Sequence, residues 1–106
     1  MSAAEKQVKE AIEILVIISD DQAIPRNIRR IATQCVEILQ NGELDLPVRA
    51  INAIELLEDT TGDPNCPYHA RTLIWQALTR LELPLNDDED DDEWEYYDDD
   101  EEEEDE

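Results

Sequence analysis

Four residues carry the thiol, imidazole and carboxylate side chains that bind zinc in proteins. Asp63, Cys66 and His69 follow one another at three-residue intervals, and Cys35 supplies a second thiol. A structural zinc site needs four ligands, usually rich in sulfur, so Cys35 would have to reach this group from the middle of another helix. The simpler interpretation makes Cys35 a small core residue, Cys66 a loop residue and His69 an exposed residue in a first helical turn. We adopt this interpretation and expect no metal and no cofactor.

Catalysis by side chains needs a nucleophile or an acid–base pair with an oriented partner. The chain has one histidine, and it has neither a glycine-rich phosphate loop nor a Ser/His/Asp pattern. Cys35 and His69 form the one thiol–imidazole pair that can be imagined, and nothing in the sequence brings them together. We therefore expect that the protein is not an enzyme. A disulfide between Cys35 and Cys66 stays open, because intracellular proteins of hyperthermophiles do contain disulfides.

The negative charge is concentrated at the C-terminus. The chain has 30 acidic and 8 basic residues, and 17 of the acidic residues fall within residues 87–106, where only three residues are not acidic. Strong self-repulsion and a very low apolar content predict that this segment is disordered. The folded domain is therefore expected to span residues 1–86.

The acidic segment also contains aromatic residues, which a purely solubilising tail does not need. Acidic blocks steer a chain toward a basic surface, and aromatic side chains then supply localised binding energy. We expect the tail to bind a basic partner such as a ribosomal, chromatin or other nucleic-acid-binding protein. The residues expected to make this contact are Trp94, Tyr96 and Tyr97 with the acidic residues Asp90, Asp91, Asp92, Asp98, Asp99 and Asp100. Two alternatives are a tail that only solvates the protein and a tail that folds back on the arginines.

Arg26, Arg29 and Arg30 cluster near the expected start of one helix. Binding to phosphates scales with the number of charges that are neutralised, and the first 86 residues are already net negative. The acidic tail would also compete for this patch. We therefore expect no direct binding to nucleic acid, and we expect these arginines to pair with Asp20, Asp21 and neighbouring carboxylates.

Apolar residues at helical spacing predict four helices and no strand. Ser2 and Glu5 stand at capping-box spacing, so the first helix should begin at Ala3 and run to about residue 19. Pro25, Pro47 and Pro67 suit the starts of the other three helices. The expected ends are Asn41-Gly42, Gly62 and Pro84. The core positions predicted in the third helix are Val48, Ala50, Ile51, Ile54 and Leu57.

The first helix contains five consecutive apolar residues, 14–18, which is more than one buried face requires. This excess predicts either a helix that is surrounded on all sides or a subunit interface. A homodimer through the first helix is therefore one expectation. The overall fold expected from the four helices and their short connections is all-α, a compact four-helix bundle with a disordered acidic C-terminal tail.

Three segments look like parts of a known family: residues 20–29 (DDQAIPRNIR), residues 46–50 (LPVRA) and residues 63–65 (DPN). Together they resemble an archaeal family of small helical proteins that is catalogued only as uncharacterised. The resemblance implies a compact four-helix fold and an archaeal cytoplasm, and it implies no particular activity. Residues 44–50 also resemble the helix start of a HEAT repeat, although a HEAT unit is about 40 residues long.

These observations predict a non-catalytic protein–protein interaction module, an adaptor or escort with an acidic, aromatic-bearing tail. One alternative is a nucleic-acid mimic that occupies a nucleic-acid-binding groove, and another is a structural subunit of a larger assembly. The chain has no stretch of 18 apolar residues that would predict a membrane span, and residues 1–6 lack the pattern of a secretion signal. We therefore expect a cytoplasmic protein that does not bind membranes.

Overall fold

The computed structural model describes residues 2–85, which form four helices and no strand. The helices are α1 (Ala3–Asp20), α2 (Arg26–Leu39), α3 (Leu46–Thr61) and α4 (Tyr68–Leu85). The predicted all-α four-helix bundle is confirmed. α4 continues through Pro84 to Leu85, slightly beyond the expected end. The predicted acidic tail lies outside the described residues, as do all the residues predicted to bind a partner there.

The start of α1 is fixed by the predicted capping box. The Ser2 hydroxyl accepts a hydrogen bond from the backbone N–H of Glu5 at 3.1 Å, and the Ser2 N–H donates to Oε1 of Glu5 at 2.9 Å. The second bond, together with the nearby N-terminal charge, holds the pKa of the Glu5 carboxyl below its usual value. Two backbone N–H groups that the helix leaves without internal partners are thereby satisfied.

Helices that are adjacent in sequence pack against each other, and α4 also packs against α1, which closes the bundle. α1 and α3 touch only slightly across the diagonal. Successive helices run in opposite directions. The loops at residues 21–25 and 62–67 therefore lie together at one end, which we call the two-loop end. The α2–α3 loop lies at the opposite end, the base, with the start of α1.

The core alternates small and large side chains. Each helix contributes one buried stripe at helical spacing, and every stripe contains at least one alanine. Small residues let the helix backbones approach closely, and the larger aliphatic side chains fill the space between them. The largest fully buried side chains are Leu15, Ile18, Ile24, Ile28, Leu39, Leu57, Ile74, Leu81 and Cys35.

The prediction that Val48 and Ile51 belong to the core is wrong. Val48 is 42% exposed and Ile51 is 45% exposed, whereas Ala50 and Ala53 are fully buried. α3 carries two apolar stripes, and the stripe with the smaller side chains faces inward because α3 approaches its neighbours closely. Ile17, in the apolar run of α1, is also 55% exposed, so α1 is not surrounded within the described part of the chain.

The three loops between helices are built on one repeated pattern, which we call the loop module. Each module begins with an Asp or Asn whose side chain accepts a hydrogen bond from the backbone N–H two residues later, at 2.8–3.0 Å. Eight residues after this Asp or Asn stands an arginine in the first turns of the next helix. The modules span residues 21–29, 41–49 and 63–71.

The arginine of each module folds back and binds its own loop. Its guanidinium donates to the carbonyl five residues earlier, from Arg29 to Ile24 at 2.9 Å, from Arg49 to Leu44 at 2.7 Å and from Arg71 to Cys66 at 3.4 Å. Its backbone N–H donates to the carbonyl four residues earlier, at 3.0 Å in all three modules. Each arginine therefore joins the loop to the helix that follows it.

Candidate functional site

The residues considered as zinc ligands are not gathered at one place. The thiol of Cys35 is fully buried and lies 3.7 Å from the carbonyl of Ala53, to which it donates. The thiol of Cys66 lies against the carbonyl of Pro67, and both cysteines are free. Within residues 2–85, no group of three or more His, Cys, Asp or Glu side chains is arranged to hold a metal ion.

Burial raises the pKa of the Cys35 thiol to about 12. Burial also raises the pKa of the Cys66 thiol, partly offset by the charge of Arg71. The thiolate is the reactive form of cysteine, so both thiols are poor nucleophiles near neutral pH. The structure thus agrees with the interpretation of Cys35 as a small core residue.

His69 contacts Asp21 rather than either cysteine. Its Nε2 lies 3.0 Å from Oδ2 of Asp21 and donates to that carboxylate. At the same end, Nδ2 of Asn27 donates to Oδ2 of Asp63 at 3.1 Å. The two contacts are reciprocal, because each aspartate begins a loop module and accepts a hydrogen bond from the other module. Asp21 contacts His69, six residues after Asp63, and Asp63 contacts Asn27, six residues after Asp21. They tie the two loops of the two-loop end together.

Sequence reasoning missed this reciprocal pair. The partners are separated by 48 residues in one contact and by 36 in the other, so only the fold shows that they meet. The segments at residues 20–29 and 63–65, which carry the family resemblance, are the ones that meet here. The third module has Pro47 at the matching sixth position, and proline has no side-chain donor.

The pKa of the Asp21 carboxyl is held below its usual value, first by the hydrogen bond from the N–H of Ala23 and then by that from His69. Because its pKa is depressed, the Asp21 carboxylate stabilises the folded chain at any pH above its unfolded-state pKa of about 4. This stabilisation is lost as the pH falls through the lower pKa of the folded state. We expect Asp21→Asn to be less stable than the parent at pH 7 and to approach the parent's stability as the pH falls below the unfolded-state pKa.

Chemical denaturation between pH 2.5 and 7 measures this difference. The titration of residues 87–106 is common to both chains and cancels. The matched control is Asp20→Asn, which removes an exposed carboxylate next to Asp21. A difference between Asp21→Asn and the parent that stays constant over this range would contradict the assignment.

Within residues 2–85, Arg26, Arg29 and Arg30 do not form the predicted ion pairs with Asp20, Asp21 or neighbouring carboxylates. The three arginines of the loop modules donate to backbone carbonyls, and Arg49 makes a second such bond to the carbonyl of Leu39 at 3.2 Å. Arg80 is the one arginine of residues 2–85 in an ion pair, 3.5 Å from Oε1 of Glu10. Arg26 and Arg30 are exposed at the start of α2.

Exposed basic side chains are confined to one half of the bundle. Lys6 and Lys9 lie on α1, and Arg26 and Arg30 lie on α2. The lysines and arginines of residues 2–85 that belong to α3 and α4 are all partly buried. The outer surface of α3 and α4 is therefore left to apolar, polar and acidic side chains.

This outer surface carries exposed apolar side chains. We call the two stripes of side chains that contain them the α3–α4 face. Along α3 the exposed stripe at spacings of three, four and three residues is Val48, Ile51, Glu55 and Glu58. Along α4 a second stripe at helical spacing consists of Tyr68, Thr72, Trp75 and Thr79. Tyr68 is 75% exposed and Trp75 is 49% exposed.

Ile51 and Trp75 stand on the sides of their helices that border the α3–α4 seam. On α4, Arg80 points to α1, and Trp75 stands about 140° round the helix from it. On α3, Leu56 lines a shallow groove with residues of α2, and Ile51 stands about 140° round the helix from Leu56. Because α3 and α4 pack together, Ile51 and Trp75 lie on the side of the bundle that α1 and α2 leave uncovered.

A second concave feature lies at the base of the bundle. It is a groove of about 550 Å³, lined by Val8, Ile12 and Leu46 with charged residues of both signs at its rim. Arg49, which lines it, already donates to the carbonyl of Leu44 in the loop and to that of Leu39 at the end of α2. The groove thus has an apolar floor and no excess of one charge. No helix of residues 2–85 is long and apolar enough to cross a membrane.

The geometry defines a small four-helix protein whose loops are joined to the helices that follow them by the loop modules. The model of the uncharacterised protein family UPF0147 matches residues 1–83 of the chain. A UPF0147 protein of Pyrococcus furiosus is 46% identical over 83 residues, which cover 77% of this chain and 89% of that protein. A UPF0147 protein of Aeropyrum pernix is 49% identical over 78 residues, covering 74% and 86%.

A crystal structure of a UPF0147 protein from Thermoplasma acidophilum superposes with a TM-score of 0.75 at 25% identity, covering 79% of this chain and 99% of that one. The chain belongs to family UPF0147. The family match ends at residue 83, so the acidic segment 87–106 lies beyond it. The resemblance to an archaeal family of small helical proteins is confirmed.

Proposed function

We propose that this chain is a cytoplasmic, non-catalytic protein–protein interaction module, an adaptor or escort. Its helical body docks a partner through the α3–α4 face, and its acidic segment 87–106 engages a basic protein. The observation that carries the proposal is Trp75, whose large side chain is 49% exposed on α4, with Ile51, 45% exposed, on the neighbouring helix α3. Tryptophan is enriched among the residues that dominate binding energy in protein interfaces.

The rest of the described body supports a docking role. The loop modules fix the path of the chain between helices, so the surface is held in place before a partner arrives. Preorganisation of this kind lowers the entropy that is lost on binding. Trp94, Tyr96 and Tyr97 would add a second set of aromatic anchors within a segment that is steered by its own charge.

Affinity capture from native lysate tests the proposal with three chains: the intact chain, a chain ending at Asn86, and a chain with W94A, Y96A and Y97A. The triple variant is the matched control, because it keeps all 17 carboxylates of the tail. We expect basic proteins captured by the intact chain to be lost in the truncated chain and reduced at least tenfold in the triple variant. Equal capture by all three chains would contradict the role of the tail.

The nucleic-acid mimic makes a different prediction in the same experiment. Its captured partner would be displaced by nucleic acid, with a steep dependence on salt, because both ligands would occupy one basic groove. A partner that stays bound in excess nucleic acid at physiological salt would support the adaptor. Light scattering distinguishes the structural-subunit alternative from the other two, because the measured mass of a self-assembling chain rises with its concentration.

A further inference from the structure

We propose that the α3–α4 face is the docking site for a basic amphipathic helix. The inference rests on the proposed function and specifies which partner the body binds. The face combines two features that such a helix complements, a strip of exposed apolar side chains and a border of carboxylates without exposed bases. An amphipathic helix docks by laying its apolar residues into a groove at positions i, i+3, i+4 and i+7.

The apolar part of the face suits a helix in its dimensions. Val48 and Ile51 lie one turn apart on α3, and Trp75 stands on α4 across the seam. Two antiparallel helices packed side by side leave a furrow between them, and a third helix can lie along such a furrow. Trp75 and Tyr68 are two turns apart on α4, so a docked helix of three turns would contact both.

The charges of the face select the sign of the partner. Glu55 and Glu58 continue the stripe of Val48 and Ile51 along α3, and both are exposed. The four exposed lysines and arginines of residues 2–85 lie on α1 and α2, away from the seam. A helix that carries Lys or Arg beside its apolar residues would find carboxylates there, whereas an acidic helix would be repelled.

A second copy of the chain is a poorer occupant. In a symmetric dimer through this face, Glu55 and Glu58 of one copy would approach the same acidic face of the other, and each copy has a net charge of −22. Association of like charges is costly unless bases intervene. The exposed Val16 and Ile17 of α1 offer a matched comparison, because they are as exposed as Ile51 and Trp75 but lie on the helix that carries exposed lysines.

The test measures the affinity of the full chain for two synthetic peptides of about 18 residues, long enough to form a helix. One peptide places Leu on one helical face and Lys elsewhere, and the other has the same composition in scrambled order. An acidic tail alone would bind both equally, because their charges are identical. We expect the parent chain to prefer the amphipathic peptide by about tenfold or more.

Two double variants assign the preference to a surface. We expect I51Q/W75Q to lose the preference while it still binds both peptides through the tail, and V16Q/I17Q to retain it. Circular dichroism before titration checks that each variant is folded. The substituted positions are exposed, so we expect the fold to be retained. No preference in the parent chain, or its loss in V16Q/I17Q alone, would overturn the assignment. Self-association abolished by I51Q/W75Q would replace the helix with a second copy.

The outcomes also separate this inference from the proposed function. If tail truncation removes basic partners in lysate but the parent shows no preference between the peptides, the tail role stands and the α3–α4 face is not the site. If the preference is present and I51Q/W75Q removes it, the face binds a basic helix whatever the tail does.

Discussion

Leu15→Ala is expected to lower the free energy of unfolding by about 2–5 kcal/mol, the largest effect among the substitutions considered for this chain. Leu15 is fully buried on α1, which packs against both α2 and α4. The truncated side chain removes apolar contacts and leaves a cavity that the surrounding helices fill only in part. Urea denaturation followed by circular dichroism measures the change.

Ile17→Ala is the control, because it removes an aliphatic side chain of the same size from the same apolar run. Ile17 is 55% exposed, and alanine has the higher helix propensity, so we expect a change within about 1 kcal/mol. If the two variants were equally destabilised, Ile17 would be covered in solution by another surface. That result would revive a subunit interface through the first helix.

Arg49→Ala is expected to lower the free energy of unfolding by about 2–3 kcal/mol, because a charged donor loses two backbone partners. Arg49 donates to the carbonyls of Leu44 and Leu39, at 2.7 and 3.2 Å. It thereby holds the α2–α3 loop to the helices on both sides of it. The removal leaves two carbonyls to be satisfied by water and leaves the loop module at residues 41–49 without its closing bond.

Arg49→Lys tests the geometry of this contact. Lysine keeps the charge but lacks the planar fork with several donors, so we expect it to restore less than half of the stability lost in Arg49→Ala. Arg26→Ala is the matched control, since Arg26 is exposed and its loss should change stability by no more than about 0.5 kcal/mol. Thermal and urea denaturation of the three variants and the parent measures these changes. An equal loss of stability in Arg49→Ala and Arg26→Ala would contradict the role of Arg49 in holding the loop.

The number, order and approximate bounds of the helices could be predicted from sequence, because apolar spacing and capping residues are local signals. The Ser2–Glu5 capping box is the clearest case, since both of its hydrogen bonds join residues three apart. The inward face of α3 could not be predicted. Val48 and Ile51 are more hydrophobic than Ala50 and Ala53, and only the close approach of neighbouring helices places the alanines inside.

The arginines show a second limit of sequence reasoning. The prolines correctly predicted the helix starts, but the repeated pattern of the loops is defined by the Asp or Asn that begins each loop module. Alignment on Asp21, Asn41 and Asp63 places an arginine eight residues later in all three cases, whereas alignment on the prolines does not. The partners are carbonyls, which no side-chain sequence displays, so charge pairing was the natural but mistaken expectation.

The contacts of the two-loop end could not have been derived from spacing at all. His69 was considered beside Cys66 because the two are close in sequence, yet its partner is Asp21, 48 residues away. The α3–α4 face was missed for a related reason. The exposure of Trp75 could not be predicted, because an isolated tryptophan within a helix is as compatible with a core position as with an exposed one.

The continuity of α4 with the acidic segment has a consequence for binding strength. Trp75 lies ten residues before the end of α4 at Leu85, about 15 Å along the helix. Trp94 follows nine residues later, so covalent geometry limits it to about 30 Å from that end. A partner held at Trp75 would therefore meet the tail aromatics at an effective concentration on the order of millimolar. Two weak contacts would then act as one strong one, and the losses caused by removing either would not add.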